Sequence, residues 1–459
     1  MIDKFESLKL DPRLEKNLKD LEFTAMTPIQ QKALPLILDK ADVIAQAKTG
    51  SGKTVAFGLG VLNDIDIKFT RPQSLILCPT RELAEQVAKE LRILARTLPN
   101  MKILTITGGK SEFLQEKSLA HGAHIIVGTP GRVLRLLTKR ILSLENVRYY
   151  VLDEADRMLD MGFRDDIYKI SSRLPQQRQT LLFSATFPED IEELSRDLQQ
   201  NAQKIVVDSQ HLDNIIKEEF IELDSHKDKI DALLKVLGQY QAQSFIIFCK
   251  TKKISDTVAD ELYRRNIVVA SIHSDLEQNE RTATLAMFSN RSLSGVVATD
   301  VAARGIDIKG LDLVVNFDLP TDPEVYVHRI GRTGRAGNEG HAVSFITKHE
   351  FDSFDAISQY QNKEYEIKEL ASLQSDVAYS LQPEMTTLFI SGGKKDKLRP
   401  SDIVGAIIGS SGVDFSHIGN INLLNVITYV AIKNESAKLV CDKLNASKIK
   451  NKKFRIGML

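Results

Sequence analysis

Ala47-Lys48-Thr49-Gly50-Ser51-Gly52-Lys53-Thr54 follows the apolar run Asp42–Ala45 directly and leads into a helical pattern. Strand, glycine-punctuated turn and helix, in that order, make a phosphate cradle. Glycines at 50 and 52 let the backbone N–H groups of Thr49 to Gly52 curl around phosphate oxygens, helped by the helix N-terminus. Lys53 then reaches the β- and γ-phosphates, and the Thr54 hydroxyl binds Mg²⁺. Ala47 replaces the first glycine of the usual pattern, and a glycine-rich turn without a ligand is the plainer alternative.

Outward from this loop, short β-branched runs alternate with helical patterns. Ser74–Leu77, Ile103–Thr107, His124–Val127, Tyr149–Leu152 and Thr180–Phe183 read as buried strands, each followed by a longer amphipathic stretch such as Glu82–Leu98. This alternation predicts a parallel sheet with helices on both faces. The pattern fades near Asp208–Ile215 and resumes with Ser244–Phe248, Val268–Ile272, Gly295–Ala298, Leu311–Phe317 and Ala342–Ile346, a second α/β set. A polar connector over roughly Glu350–Glu384 leads to strand, helix, two strands, helix and strand, starting at Thr387. That βαββαβ order is ferredoxin-like and serves RNA-recognition modules as well as unrelated packing and dimerisation domains.

Composition narrows the class. Apolar residues are 42% and charged residues 27% of the 459, which excludes wholesale disorder and coiled-coil architectures. No apolar run has the length of a membrane span, and the start reads as no signal peptide. Cys78, Cys249 and Cys441 lie far apart with no CxxC pairing, so neither a disulfide framework nor a zinc site is expected, and a reducing cytoplasm fits. The 61 basic and 61 acidic residues cancel, yet Thr386–Leu459 holds 12 Lys/Arg against 5 Asp/Glu, a net +7. A basic tail on an acidic body suggests a polyanionic partner.

Two further segments carry chemistry. Tyr149–Leu152 runs into Asp153-Glu154-Ala155-Asp156. A carboxylate at a strand end beside a phosphate cradle is placed to hold hydrated Mg²⁺, a role for Asp153, while Glu154 polarises the attacking water. In the second α/β set, His328-Arg329-Ile330-Gly331-Arg332-Thr333-Gly334-Arg335 offers Arg332 and Arg335 to a phosphoryl group in transit. Arg329 reads equally as an RNA- or carboxylate-binding residue.

Together these segments resemble the DEAD-box RNA helicases over about residues 5–350. The resemblance implies two tandem RecA-like parallel-sheet domains of the P-loop NTPase class, here 1–208 and 216–368, then a ferredoxin-like RNA-recognition domain over 384–459. It implies that Phe5 stacks on adenine and that Gln30, in Thr27-Pro28-Ile29-Gln30, bonds the adenine edge. Glu22 departs from the family, where glycine is common. Pro79, Thr80, Arg81, Gly108, Gly109, Thr129, Gly131 and Arg132 become RNA contacts of the first domain. Gln278, Arg281, Thr299, Asp300, Arg304 and Gly305 become those of the second. Ser184 and Thr186 couple hydrolysis to strand separation through hydroxyl bonds to Asp156; Asp307 takes the ribose, and His328 links the catalytic motifs.

The tail, with Leu388-Phe389-Ile390-Ser391-Gly392-Gly393-Lys394-Lys395, is similar to the RNA-binding domain of DbpA-type helicases. That implies a hairpin of large-subunit ribosomal RNA, in the peptidyl-transferase region, as the target. Its sheet offers few stacking rings, Phe389 and Tyr429, so Lys394, Lys395, Lys397 and Lys448–Arg455 are at least equal candidates for RNA contact. The expectation is an ATP- and Mg²⁺-dependent RNA helicase that unwinds short duplexes in 23S ribosomal RNA during 50S assembly, cytoplasmic, with no membrane and no obligate protein partner. The alternatives are a DEAD-box helicase with other targets such as messenger RNA, an ATP-gated RNA scaffold, and a DNA helicase.

Overall fold

Buried, largely apolar runs build the central strands of the first sheet, because a parallel strand covered on both faces has little use for polar side chains. In this computed structural model, which describes residues 4–47, 51–207, 216–300, 310–334, 339–373 and 378–459, that sheet has seven strands. They are β1 (Val43–Gln46), β2 (Ser74–Leu77), β3 (Ile103–Ile106), β4 (Ile125–Gly128), β5 (Tyr149–Asp153), β6 (Gln179–Ser184) and β7 (Gln203–Val206). All pairings are parallel, in the order β3-β4-β2-β5-β6-β1-β7. Alternate residues of β5 enter opposite cores: Tyr149 and Val151 pack with Leu14, Phe57 and Val87, whereas Tyr150 and Leu152 pack with Val133, Ile167 and Leu194. Two-sided burial therefore follows from the period-2 direction of strand side chains.

The second sheet comprises β8 (Ile216–Glu222), β9 (Phe245–Phe248), β10 (Val269–Ile272), β11 (Gly295–Ala298), β12 (Leu313–Asn316), β13 (Gly340–Ile346) and β14 (Ile367–Glu369). Its order, β10-β11-β9-β12-β13-β8-β14, repeats that of the first sheet strand for strand. The chain thus carries two RecA-like domains in tandem. Three edge or near-edge strands, β7, β8 and β14, were not expected from sequence. β8 reads Ile-Lys-Glu-Glu-Phe-Ile-Glu, whose charges hide its alternation; Glu218 is satisfied indoors by the Tyr326 and Tyr365 hydroxyls, each at 2.9 Å. β14 lies inside the expected connector, which therefore begins as part of the second domain: the helix Phe351–Gln361 and β14 both pack there.

The third sheet is antiparallel, with β15 (Met385–Ile390), β16 (Ile418–Leu423), β17 (Thr428–Lys433) and β18 (Ile456–Met458) in the order β16-β17-β15-β18. Helices Pro400–Ser411 and Asn434–Ala446 join it in one core through Leu388, Ile390, Ile403, Ile407, Val430 and Val440. This is the ferredoxin-like order read from the sequence. The first sheet with its helices forms one compact unit; the second and third sheets share another. Among the described residues no helix is long and apolar enough to cross a membrane, and all three cysteines are free and buried.

Candidate active site

In a parallel sheet, ligand-binding groups collect at the carboxyl ends of the strands. Apart from Phe5 and Gln30, which precede β1, the candidate residues of the first domain follow this rule. The phosphate loop leaves β1, Pro79-Thr80-Arg81 leaves β2, Gly108-Gly109 follows β3, Thr129–Arg132 leaves β4, Asp153 ends β5 and Ser184 ends β6. β1, β6 and β5 are consecutive neighbours, with Gln46 opposite Ser184 and Phe183 opposite Asp153.

Gly52 begins the helix Lys53–Leu62 at φ +95°, and a Cβ there would come within 2.4 Å of the Gln30 amide nitrogen. Only glycine fits, because Gln30 Nε2 donates to the Gly52 carbonyl at 3.1 Å. Gln30 Oε1 meanwhile accepts from the Thr27 N–H at 2.9 Å. The amide expected on adenine thus also ties the start of its own helix to the phosphate loop. Phe5, expected to stack on the base, is 4% exposed and meets Phe23 edge to face, with ring centroids 6.2 Å apart. Glu22 lies at φ +59°, the left-handed region that explains why glycine is common there. Thr49 and Gly50 lie outside the described residues.

The charged centre is buried. Lys53 Nζ stands 4.0 Å from Asp153 Oδ1, both side chains being nearly fully buried. Among the described residues neither atom has a hydrogen-bond partner, and the same holds for Ser51 Oγ, Thr27 Oγ1 and Ser184 Oγ. Burial pushes the Asp153 carboxyl up to about 7; Lys53 opposes this and Glu154 adds to it. A cluster of orphaned donors beside a carboxylate fits a metal–nucleotide, which would satisfy them together. Thr54 follows Lys53 in the first turn of the helix.

Glu154 sits at φ +55°, a strained backbone for a glutamate, and its carboxylate is gripped by Arg157 at 2.9 Å. The i,i+3 spacing of Glu154 and Arg157 is the sequence signal of this pair. Asp156 Oδ2 accepts from the backbone N–H groups of Ala185 at 2.9 Å and Thr186 at 3.2 Å, and from the Thr186 hydroxyl at 3.4 Å. Two hydroxyl bonds were expected; the main chain supplies most of the link and Ser184 takes no part in it.

Among the residues expected to meet RNA, Thr80 caps the helix Arg81–Leu94 by accepting from Leu83 N–H. The Arg81 guanidinium lies over Gly108, within 3.0 Å of where a Cβ would stand. Arg132 donates to the Lys110 carbonyl at 3.1 Å and to Gln115 at 2.9 Å, so it braces the loop that carries Gly109. Thr129 starts the helix Pro130–Thr138, which includes Gly131, without a side-chain cap bond.

In the second domain, Gln278 and Arg281 share the start of the helix Gln278–Ser289, and Thr299 follows β11. Arg329, 3% exposed, grips Asp300 with two bonds and also reaches Asn316 Oδ1 and the Asp318 carbonyl. Of its two readings, carboxylate binding is the one seen. His328 lies in the last turn of Pro323–Ile330 and Arg332 is buried just beyond. Arg304, Gly305, Asp307 and Arg335 lie outside the described residues.

In the third domain Lys394, Lys395 and Lys397 are exposed. Phe389 is opposite Tyr429, which is only 4% exposed.

Three family models match the chain in the order of these domains: DEAD/DEAH box helicase over 27–194, helicase conserved C-terminal domain over 228–337, and DbpA RNA binding domain over 387–457. The ATP-dependent RNA helicase DbpA of Escherichia coli (strain K12) is 48% identical over 453 residues, 98% of either chain. The chain belongs to the DbpA-type DEAD-box RNA helicases. A second relative, the ATP-dependent RNA helicase DbpA of Bacillus subtilis (strain 168), is 36% identical over 99% of this helicase and 98% of its own length. Among solved structures, yeast (S. cerevisiae) Dbp5 bound to RNA and ADP BeF3 covers 80% of this helicase and 95% of its own chain, with 34% identity and TM-score 0.73. The helicase is an RNA-dependent ATPase that binds ATP and converts it with water to ADP and phosphate.

Proposed function

We propose that this helicase couples ATP hydrolysis to local opening of short RNA duplexes in 23S ribosomal RNA, on pre-50S particles in the cytoplasm. Its working parts are domains over 1–208 and 216–368, with 384–459 as the domain that selects RNA. The observation carrying this reading is the convergence of two basic segments of the tail. Lys450 Nζ donates to the Lys397 carbonyl at 2.9 Å, Lys452 stands 3.5 Å from Asp396, and Ser391 N–H donates to the Arg455 carbonyl at 2.9 Å. Gly392 and Gly393 make the approach possible: Cβ atoms there would strike the Phe454 ring at 2.2 Å and the Leu424 carbonyl at 2.3 Å. Lys394, Lys395, Lys397 and 448–455 thereby share one positive edge, the electrostatic footprint of a phosphate backbone.

In the nucleotide site, Lys53 would neutralise the terminal phosphates, with Ser51 and Thr54 beside it. Asp153 and Thr54 would hold Mg²⁺ largely through water. Mg²⁺ supplies charge neutralisation on the phosphate oxygens when bound. Glu154, held by Arg157, would orient and deprotonate the attacking water, and Arg332, Arg335 and His328 are the second domain's candidate catalytic residues. Asp156 and Thr186, bonded to one another, would report hydrolysis to the RNA, with Ser184 beside them at the end of β6.

The test is ATPase activity titrated with a 23S fragment carrying the peptidyl-transferase hairpin and with an unrelated RNA of equal length. Half-maximal stimulation at tenfold or more lower concentration of the ribosomal fragment supports the reading. Equal stimulation by both overturns the ribosomal assignment in favour of a helicase with other targets.

A further inference from the structure

The tail is fastened to the second domain, and the fastening uses the same helix that carries candidate RNA contacts. Thr387, on the sheet face opposite the core, is fully buried. Its hydroxyl accepts from Asn290 Nδ2 at 3.1 Å and lies 2.7 Å from Ser292 Oγ. Asn290, 2% exposed, accepts in turn from Asn422 Nδ2 at 3.3 Å, and Asn420 reaches Ser289 at 3.2 Å. Both ends of the Asn290 amide are therefore engaged by two different strands, β15 and β16.

The chain leading into the tail is pinned as well. The Tyr379 hydroxyl donates to the Ala242 carbonyl at 2.8 Å, its ring meets Phe245 edge to face, and Gln382 donates to the Asn266 carbonyl at 2.9 Å. Buried polar groups are costly unless fully paired, so such a network favours one docking geometry over others.

Asn290 ends the helix Gln278–Ser289, whose first turn carries Gln278 and Arg281. Twelve residues at 1.5 Å each set these two ends about 18 Å apart on a rigid rod. We infer that Asn290 is a positioning residue: with Thr387 it fixes the tail to this helix, so that the enzyme selects the spacing between a bound RNA hairpin and the duplex to be opened, not the hairpin alone. The inference rests on the RNA reading proposed above. A flexibly tethered tail would tolerate any spacing within its reach; a docked one has an optimum.

The experiment uses the full chain and a series of RNAs in which the ribosomal hairpin is joined to a short duplex by single-stranded linkers of increasing length. Unwinding rate against linker length should peak sharply for the wild type. In the double variant Asn290→Ala, Thr387→Val the best-to-worst ratio should fall at least fivefold. ATPase stimulation by unrelated RNA should stay within about twofold, which reports an intact fold, and hairpin affinity within about threefold. A second variant, Ser292→Cys with Thr387→Cys, should form a disulfide both without RNA and with the hairpin bound, and the oxidised protein should keep the wild-type linker profile. A flat wild-type profile, an unchanged peak in the double variant, or loss of unwinding on oxidation each overturns the inference. Absence of hairpin preference in a protein that still cross-links overturns the ribosomal reading instead.

Discussion

Arg329 holds Asp300 through two hydrogen bonds, of 2.6 and 2.7 Å, with the guanidinium stacked 4.9 Å from the Phe248 ring centroid. The pair ties the end of β11 to the helix that delivers His328 and Arg332. Arg329 is buried and Asp300 about a quarter exposed, so the arginine charge depends on this partner. Asp300→Ala should lower stability by about 2–4 kcal/mol, since a buried charge then loses its ion partner. Asp300→Asn keeps an acceptor and should cost less. Urea unfolding of the two variants measures both, and equal stability of wild type and Asp300→Ala would refute the assignment.

Asp153 gives a pH dependence with a defined sign. Its folded pKa, about 7, lies above the ordinary 3.8, so the native state holds a proton that the unfolded chain releases. The associated stability is complete below about pH 4 and is lost as pH rises through 7. Asp153→Asn cannot make this loss. The variant's stability relative to wild type should therefore rise from pH 5 to pH 8, by up to a few kcal/mol. Mg-ATP should reverse the advantage, because the metal favours the carboxylate. Thermal unfolding of the ligand-free proteins across this range decides it; a difference that shrinks as pH rises contradicts the burial argument.

Glu154→Gln keeps an acceptor for Arg157 but cannot take a proton. ATP should bind within a few-fold of wild type, while turnover falls by about 10²–10⁴. Lys53→Ala should instead abolish productive nucleotide binding, because it removes the cation facing the phosphates. Fluorescent-nucleotide binding and phosphate release separate the two, and wild-type turnover in Glu154→Gln would exclude it as the base.

Neutralising Lys394, Lys395 and Lys397 together should weaken hairpin binding and flatten its salt dependence, by roughly 0.7–0.9 of a log–log unit for each RNA phosphate that no longer meets a lysine. Phe389→Ala should leave that slope unchanged, because Phe389 packs across from buried Tyr429 and Gly457. Binding isotherms at several salt concentrations compare them. A larger loss of affinity from Phe389→Ala than from the lysine variant would return RNA to the sheet face.

Local sequence determined the strands that are buried throughout, such as Ser74–Leu77 and Gly295–Ala298, and the glycines of positive φ between elements, because burial on both faces and positive φ leave direct marks on residue choice. It marked the candidate nucleotide site too, since the phosphate loop and the Asp153–Asp156 carboxylates each follow a strand that hydrophobic pattern marks, while the order of those strands in the sheet came only with the fold. It did not reveal β8, whose Glu218 becomes satisfied only when it meets Tyr326 and Tyr365, or the short edge strands β7 and β14. Nor did it reveal what Gln30, Arg132 and Arg329 hold, or that Asn290 and Thr387, 97 positions apart, share a buried hydrogen bond. A hydrogen-bonding side chain declares in sequence what it is able to bind; which partner it takes depends on which distant atoms the fold brings within about 3 Å of it.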